Sequence, residues 1–184
     1  MKQAICRYIY FRLLGWKANV TVPDYDKYII CAAPHTSNWD FIIGKLFYCA
    51  IGRQTGFMMK KEWFFPPLGW LLKAMGGNPI DRSRKTSLVE TISNTVKESK
   101  RFHLAITPEG TRSPNPDWKK GFYYIALNAQ IPIVLIGIDY KAKAITAEKA
   151  LRPCGDYEKD IKEIKDYFKQ FTGKHPANFQ TGDI

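Results

Sequence analysis

Short apolar runs alternate along the chain with segments in which apolar residues recur at helical spacing. Such runs, when turn residues bound them, are typical of buried strands, and strands that alternate with helices predict an α/β domain. The predicted strands are Tyr28 to Ala33, Gly56 to Lys60, Phe102 to Thr107 and Ile131 to Tyr140. We therefore expect a central sheet, mostly parallel or mixed, that is flanked by helices.

Helical patterns fill the segments between these runs and the end of the chain. Residues 38–51 should form a helix, because Thr36, Ser37 and Asn38 are all suitable N-caps. The uncharged segment 121–138 predicts a helix, a turn and a buried strand. Two further helices are predicted by apolar residues at helical spacing, one by Leu88, Ile92 and Val96, the other by Tyr157, Ile161, Ile164, Phe168 and Phe171. The last helix has one apolar face, which we expect to pack on the core rather than to bind a partner.

The two ends of the chain differ from the segments between them. Residues 1–18 are apolar, but Lys2, Arg7, Arg12 and Lys17 recur every five residues and so spread around a helix at about 100° per residue. The segment is too short and too charged to span a bilayer. A helix that rests on a membrane surface and a helix that packs on the core both fit this pattern. Residues 174–184 have the composition of a loose tail.

Composition predicts a single domain, residues 1–184, with a sizeable core, since 45% of the residues are hydrophobic. The 28 Lys and Arg against 17 Asp and Glu give a net charge of +11, which predicts an anionic partner. Nucleic acid, an anionic membrane surface, the phosphates of coenzyme A and an acidic carrier protein all fit that charge.

The four cysteines, Cys6, Cys31, Cys49 and Cys154, contain no C-x-x-C pair. The N-terminal apolar stretch is a poor signal peptide, because Arg7 and Arg12 interrupt it and no small-residue cleavage pattern follows. We interpret the cysteines as reduced thiols of a cytoplasmic protein, with neither a zinc site nor a disulfide framework.

A histidine stands five positions before an aspartate in the segment AAPHTSNWDF. His35 and Asp40 cannot meet within one helix, where residues five apart point about 140° from each other, so a turn must separate them. Pro34 and the Thr-Ser-Asn run predict such a turn. Asp40 would then accept a bond from one imidazole nitrogen and leave the other as a general base. The alternative is an ordinary helix start, since Asp suits the first turn of any helix and a lone loop histidine is usually solvated.

The segment TPEGTRS, Thr107 to Ser113, carries groups suited to an anionic ligand. Gly110 allows the backbone to approach a ligand closely, and Arg112 can bind phosphate or carboxylate through paired hydrogen bonds. Glu109 can orient that arginine or hold a substrate hydroxyl. The alternative is a surface turn with an ion pair.

Two neighbouring segments upstream also attract attention. The segment GGNPIDRSR, Gly76 to Arg84, is either a loop that delivers Arg82 to an anion or a solvated connection. Residues 60–72, KKEWFFPPLGWLL, are unusually aromatic and apolar. They either line a slot for an acyl chain or pack in the core, which is the commoner outcome.

The order and spacing of these motifs resemble the glycerolipid acyltransferase family, which includes the 1-acylglycerol-3-phosphate acyltransferases. Its His-x4-Asp block looks like His35 and Asp40, and its glycine loop ending in Ile-Asp-Arg looks like Gly77 to Arg82. Its Glu-Gly-Thr-Arg-Ser block is present letter for letter as Glu109 to Ser113, and Ile131 to Leu135 is similar to its proline-containing strand. The similarity covers roughly residues 30 to 140.

The resemblance implies a glycerol-3-phosphate acyltransferase-like α/β fold and a mechanism. His35, oriented by Asp40, would take the proton of an acceptor hydroxyl, which attacks an acyl thioester, either acyl-CoA or acyl-carrier protein. The residues implied to bind the anionic head group of the acceptor are Arg82, Glu109, Gly110, Thr111 and Arg112. No metal or cofactor is expected, because a thioester is already activated and these residues do not form a metal-ligand set.

The function implied is an O-acyltransferase, peripheral on the inner, cytoplasmic face of an anionic membrane, that acylates a lysolipid hydroxyl. The default acceptor is 1-acylglycerol-3-phosphate. Another lysolipid, such as a lyso-aminolipid, stays open, because two arginines accept carboxylate as readily as phosphate. An inactive lipid-binding protein on the same fold also stays open. A nucleic-acid binder fits the charge but neither the Glu-Gly-Thr-Arg block nor the aromatic segment, so we expect no nucleic-acid partner.

Overall fold

The computed structural model describes residues 2–80 and 85–182 of the protein. Within them, seven strands form one sheet: β1 (Lys17–Val20), β2 (Lys27–Ala33), β3 (Gly56–Lys60), β4 (Gly77–Ile80), β5 (Phe102–Ile106), β6 (Ile133–Asp139) and β7 (Ala144–Leu151). Their order across the sheet is β1-β7-β6-β2-β5-β3-β4. The strands from β6 to β4 are parallel, whereas β7 runs antiparallel to β6 and pairs in parallel with β1. The expected mixed, mostly parallel sheet is confirmed.

The α-helices in the same ranges are α1 (Lys2–Arg7), α2 (Asn38–Ala50), α3 (Leu68–Ala74), α4 (Lys85–Glu98), α5 (Gly121–Ala129) and α6 (Tyr157–Phe168). A π-helical segment, Tyr8–Leu13, continues α1, and short 3-10 turns cover Lys61–Trp63 and Pro176–Asn178. Helices therefore flank the sheet, as expected.

Two hydrophobic clusters lie on opposite faces of the sheet. Ile29 and Cys31 of β2 belong to the cluster under α4, α5 and α6, and the alternating residues Tyr28 and Ile30 belong to the cluster under α2 and the N-terminal segment. We call these sides the α4–α6 face and the α2 face. Strands buried on both sides explain why β2 and β6 read as continuous apolar runs.

The predicted strands and the helix at 38–51 are confirmed to within two residues. The segment 121–138 is also a helix, a turn and a strand, as predicted. Strands β1, β4 and β7 were not predicted. In particular, the segment Gly76 to Arg84 was expected to be a loop, but its residues Gly77–Ile80 form β4. This strand lies at the sheet edge, where a proline such as Pro79 is tolerated because one side of the strand is unpaired.

The N-terminal segment packs along α2. Tyr10 and Trp16 are buried in the cluster of the α2 face, while Ile5, Tyr8 and Leu13 stay exposed. The segment is helical only as far as Leu13 and then enters β1. No helix in the described ranges combines the length and the hydropathy that crossing a bilayer requires.

Cys6 and Cys49 form a disulfide that joins α1 to α2. The expectation of reduced thiols is therefore wrong for this pair. The spacing of the two cysteines gave no sign of the bond, because 43 positions separate them and only helix packing brings them together. Cys31 is a buried free thiol and Cys154 an exposed one.

Residues 174–182, expected to be a loose tail, pack against the rest of the chain. The backbone N–H of His175 donates to Oγ1 of Thr36 at 3.1 Å, and Nε1 of Trp118 donates to the carbonyl oxygen of Gln180 at 3.1 Å. The buried indole of Trp118 needs a partner for its N–H, and the C-terminal segment supplies it. The expectation is therefore wrong for these residues.

Candidate active site

The segments that follow β2 and β5 meet at the carboxyl edge of the sheet. The two strands are adjacent and parallel, with Cys31 of β2 in register with Ile106 of β5. His35 follows β2 and Glu109 follows β5, at the edge where open α/β sheets bind ligands. The two segments touch directly, because the backbone N–H of His35 donates to Oε1 of Glu109 at 2.8 Å.

Helix α2 begins with a capping box. Ser37 is the N-cap, and the carboxylate of Asp40, three positions later, reaches back to it. Oδ2 of Asp40 accepts hydrogen bonds from the backbone N–H of Ser37 at 2.8 Å and of Thr36 at 2.7 Å. Asp40 is only 3% exposed, so these bonds replace the water that its charge has lost. The helix start itself thus fixes the position of the carboxylate.

The same cap places Asp40 against His35. Nδ1 of His35 lies 3.2 Å from Oδ2 of Asp40, as the predicted turn requires. Nδ1 is buried and has no well-aligned hydrogen-bond partner among the described residues, so the contact is close but not directed. Catalytic hydrogen bonds are often poorly aligned before a substrate binds and tighten in the complex. With Nδ1 against Asp40, the ring nitrogen left for a ligand is Nε2.

Tyr140 completes the environment of Asp40, and the sequence did not single it out. Its hydroxyl donates to Oδ1 of Asp40 at 2.7 Å. Burial alone would raise the pKa of Asp40, but the contact with His35 and the hydrogen bonds from Tyr140 and the Ser37 N–H together hold the pKa below its usual value. The available signal was position: Tyr140 ends the predicted strand Ile131 to Tyr140, at the same sheet edge as His35.

Glu109 lies buried beneath the turn, with 1% of its surface exposed. Oε1 accepts the hydrogen bond from the His35 backbone, and Oε2 has no hydrogen-bond partner in the described part of the chain. Burial raises the pKa of Glu109 against the lowering effect of the His35 N–H, and with the smaller contribution of the nearby charge of Asp40 the pKa reaches about 7. The carboxyl group of Glu109 therefore binds the backbone of His35.

The rest of the Glu-Gly-Thr-Arg block reaches the surface. Gly110 has φ +69°, in the left-handed region, and a Cβ there would lie 3.1 Å from Cγ of Lys119, so this turn favours glycine. The hydroxyl oxygen of Thr111 accepts a local backbone bond at 3.2 Å. Arg112 is exposed and pairs with no carboxylate in the ranges that the structure describes. Arg82, the other predicted anion-binding arginine, lies outside the described residues.

The aromatic segment 60–72 does not fill the core. Trp63, Phe65, Trp70 and Leu71 are exposed, whereas Leu72 is buried. Core packing, one of the two interpretations of this segment, is therefore wrong for the four exposed side chains.

The sequence profile of one protein family matches the part of the chain that contains most of these strands and helices. The sequence profile of the acyltransferase family matches residues 17–139, about two thirds of the chain, and includes both His35 and the Glu-Gly-Thr-Arg block. The chain belongs to the acyltransferase family. Among residues 2–80 and 85–182, the chain has no group of three or more His, Cys, Asp and Glu placed to hold a metal ion.

Two relatives of the chain are named 1-acyl-sn-glycerol-3-phosphate acyltransferases. The chain is 33% identical over 116 residues to the 1-acyl-sn-glycerol-3-phosphate acyltransferase of Saccharomyces cerevisiae. This match covers 57% of the chain and 36% of the yeast protein. The chain is 36% identical over 76 residues to the 1-acyl-sn-glycerol-3-phosphate acyltransferase beta of Homo sapiens. This match covers 39% of the chain and 27% of the human protein. The chain thus spans about a third of the length of these relatives.

The fold of the chain is similar to that of a solved structure. It matches the crystal structure of the 1-acyl-sn-glycerophosphate acyltransferase PlsC from Thermotoga maritima with a TM-score of 0.62, over 91% of this chain and 77% of that one. The sequence identity is 17%, so the likeness establishes the fold alone. The family profile and the yeast and human relatives confirm the resemblance to the glycerolipid acyltransferases.

Proposed function

We propose that the protein is an O-acyltransferase that moves a fatty acyl group from an acyl thioester to a lysolipid hydroxyl, with 1-acylglycerol-3-phosphate as acceptor. The observation that carries the proposal is the contact between Nδ1 of His35 and the buried carboxylate of Asp40, beside the Glu109 to Ser113 block. The names of the yeast and human relatives support the same acceptor.

His35 acts as the general base in this proposal. Asp40 holds Nδ1, and Nε2 takes the proton from the acceptor hydroxyl. The hydroxyl oxygen attacks the thioester carbonyl, and the tetrahedral intermediate collapses by breaking the carbon–sulfur bond. The imidazolium then returns its proton to the leaving thiolate, so the products are the acylated lipid and the free thiol of the donor. The carboxylate of Asp40 stabilises the positive charge that His35 carries between the two transfers.

The negative charge on the intermediate needs its own donors. At the start of α2, the backbone N–H of His35 binds Glu109, and those of Thr36 and Ser37 bind Asp40. The N–H of Asn38 has no hydrogen-bond partner among the described residues, which supports it as the donor at this helix start.

The head group of the acceptor binds to Arg112 and Arg82, with Gly110 and Thr111 shaping the loop. The exposed guanidinium of Arg112, unpaired within the described ranges, supports this role. A carboxylate would make the same paired bonds as a phosphate, so a lyso-aminolipid is the alternative acceptor. The net charge of +11 suits both acyl-CoA and acyl-carrier protein as donor.

The substrate of such an enzyme lies in a membrane, and we propose that the protein works at the inner face of an anionic membrane. Exposed Ile5, Tyr8 and Leu13 beside Arg7 and Arg12 in the N-terminal segment support that location.

A substrate panel tests turnover, donor and acceptor together. The purified protein is offered lysophosphatidic acid, other lysophospholipids and lyso-aminolipids, each with labelled acyl-CoA or acyl-carrier protein, and the product masses are read. We expect a diacyl product from lysophosphatidic acid. Product from a lyso-aminolipid alone would support the alternative acceptor, and lipid binding without product would refute the enzyme in favour of an inactive lipid-binding protein.

A further inference from the structure

Exposed apolar side chains are distributed unevenly between the two faces of the sheet. The N-terminal segment, α2 and residues 61–74 contribute nine large ones: Ile5, Tyr8, Leu13, Trp39, Ile42, Trp63, Phe65, Trp70 and Leu71. Over the described residues, the α4–α6 face contributes only Tyr124. A concentration of this kind marks an interaction surface.

Residues 61–74 lie on the α2 face. Nζ of Lys45 in α2 donates to the carbonyl oxygen of Met75, at the end of α3, at 2.7 Å and to that of Thr55 at 3.0 Å. The ring of Phe41 in α2 packs edge-on against Phe57 of β3, with centroids 4.8 Å apart. A right-handed crossover from β3 to β4 also puts α3 on the same face as α2, because both connections move in the same direction across the sheet.

The five tryptophans fall into two groups by exposure. Trp16 and Trp118 are 6% and 5% exposed, whereas Trp39, Trp63 and Trp70 are 50%, 53% and 70% exposed. An indole has an apolar body and one polar N–H, which is why tryptophan concentrates where hydrocarbon meets water in a membrane interface. The α2 face thus carries the side chain that this environment favours.

Basic residues accompany these tryptophans. Nζ of Lys174 lies 5.1 Å from the centroid of the Trp39 ring, and Lys73 is exposed in the last turn of α3. The N-terminal segment adds Lys2, Arg7 and Arg12 without an acidic residue, and residues 61–74 contain one, Glu62. Helix α6 on the opposite side balances its charges, with four acidic residues, Glu158, Asp160, Glu163 and Asp166, against three lysines, Lys159, Lys162 and Lys165. The charge of the α2 face therefore complements an anionic surface.

Two of the exposed tryptophans lie at the edge of the sheet that carries the candidate active site. Trp39 lies in the first turn of α2, one residue before Asp40, and Trp63 follows β3 at the same carboxyl edge that β2 presents to His35. We propose that the α2 face docks on an anionic lipid bilayer, with Trp39, Trp63 and Trp70 in its interface. Docking brings the mouth of the site to the layer that holds the lysolipid. The purpose of the docking rests on the proposed function, but the docking itself is measurable without turnover.

Vesicle sedimentation tests the surface directly. The double variant Trp63→Ser/Trp70→Ser is compared with the wild-type protein and with Tyr124→Ser, which removes an exposed aromatic ring from the opposite face. The vesicles contain phosphatidylcholine with or without phosphatidylglycerol. We expect the double variant to lose at least about tenfold in partition coefficient to the anionic vesicles, while Tyr124→Ser matches the wild type. Equal partition of all three proteins would overturn the inference. It would also be overturned if the double variant still sedimented with the vesicles like the wild type but had lost a dimer that light scattering detects in the wild type.

A measurement on the unaltered protein guards against a variant that fails to fold. Vesicles that contain brominated lipid should quench the fluorescence of the exposed tryptophans, and an unquenched wild type would overturn the inference. Turnover separates the two proposals. Quenching by vesicles with no product from any acceptor would leave the docking intact and refute the proposed function. Acylation of a short-chain, water-soluble lysolipid without quenching would do the reverse.

Discussion

The variant Tyr140→Phe removes one hydroxyl group and keeps the ring. That ring packs edge-on against Trp16, with centroids 5.0 Å apart, a contact that phenylalanine retains. The interaction lost is the 2.7 Å hydrogen bond to Oδ1 of Asp40. Because a hydrogen bond to a charged group contributes about 1.5–3 kcal/mol, we expect the free energy of unfolding at pH 7 to fall by about that amount. The pKa of Asp40 should rise.

The loss should depend on pH in a defined direction. The folded state holds the pKa of Asp40 below its unfolded value, so the stabilisation is present above about pH 4 and disappears as the pH falls through the folded-state pKa. The difference in free energy of unfolding between the wild type and Tyr140→Phe should therefore be full at pH 7 and narrow under acidic conditions. Denaturant unfolding followed by circular dichroism at several pH values measures it.

A second tyrosine–aspartate pair supplies a matched control. The hydroxyl of Tyr123 donates to Oδ2 of Asp160 at 2.9 Å, both residues are buried, and the pair lies on the α4–α6 face. Tyr123→Phe should cost a similar free energy of unfolding and leave kcat unchanged. Tyr140→Phe should slow kcat about tenfold, which corresponds to a loss of about 1.4 kcal/mol of transition-state stabilisation. Equal kcat values for the two variants, or a stability difference that does not change with pH, would refute the argument that Tyr140 positions Asp40.

Three further outcomes follow from the same structure. Glu109 has a folded-state pKa of about 7, above its unfolded value, so the wild type should lose up to about 3 kcal/mol in free energy of unfolding as the pH rises from about 5 to 7. Glu109→Gln should not show this loss, and a wild-type stability that does not change over this pH range would contradict the prediction. Arg112→Ala should raise KM for an anionic lysolipid at least about tenfold and that for the thioester far less, whereas equal increases would exclude a head-group role. Replacing Cys6 and Cys49 by serine should lower the free energy of unfolding by about 4 kcal/mol under oxidising conditions, since the bond closes a long loop, and an unchanged midpoint would argue against the pairing.

Strands that are buried on both faces were predictable, because burial leaves them no polar positions. β2 and β6 read as apolar runs for this reason. β7 was not predictable: its sequence AITAEKAL is rich in good helix formers, and it becomes a strand through its antiparallel pairing with β6. β1 contains Lys17 and Asn19 at exposed positions of a sheet edge, so its apolar signal is weak.

The candidate site contains local contacts, which the sequence predicts, and distant contacts, which it does not. The turn between His35 and Asp40 follows from nearby residues, and the sequence predicted it. The hydroxyl that reaches Asp40 comes from 100 positions away, and the carboxylate that binds the backbone of His35 from 74 positions away. Such contacts depend on the register of neighbouring strands, which sequence spacing does not encode. For that reason Tyr140 was missed and the burial of Glu109 was not foreseen.

The assignment of His35 as the base is tested most directly by the variant His35→Ala. Its turnover of lysophosphatidic acid is measured at saturating acyl donor, with circular dichroism and the unfolding midpoint as evidence that the protein is folded. We predict that kcat falls by ~10²- to 10⁴-fold, the usual contribution of a general base, while the lysolipid still binds. A folded variant that keeps nearly the wild-type kcat would contradict the account.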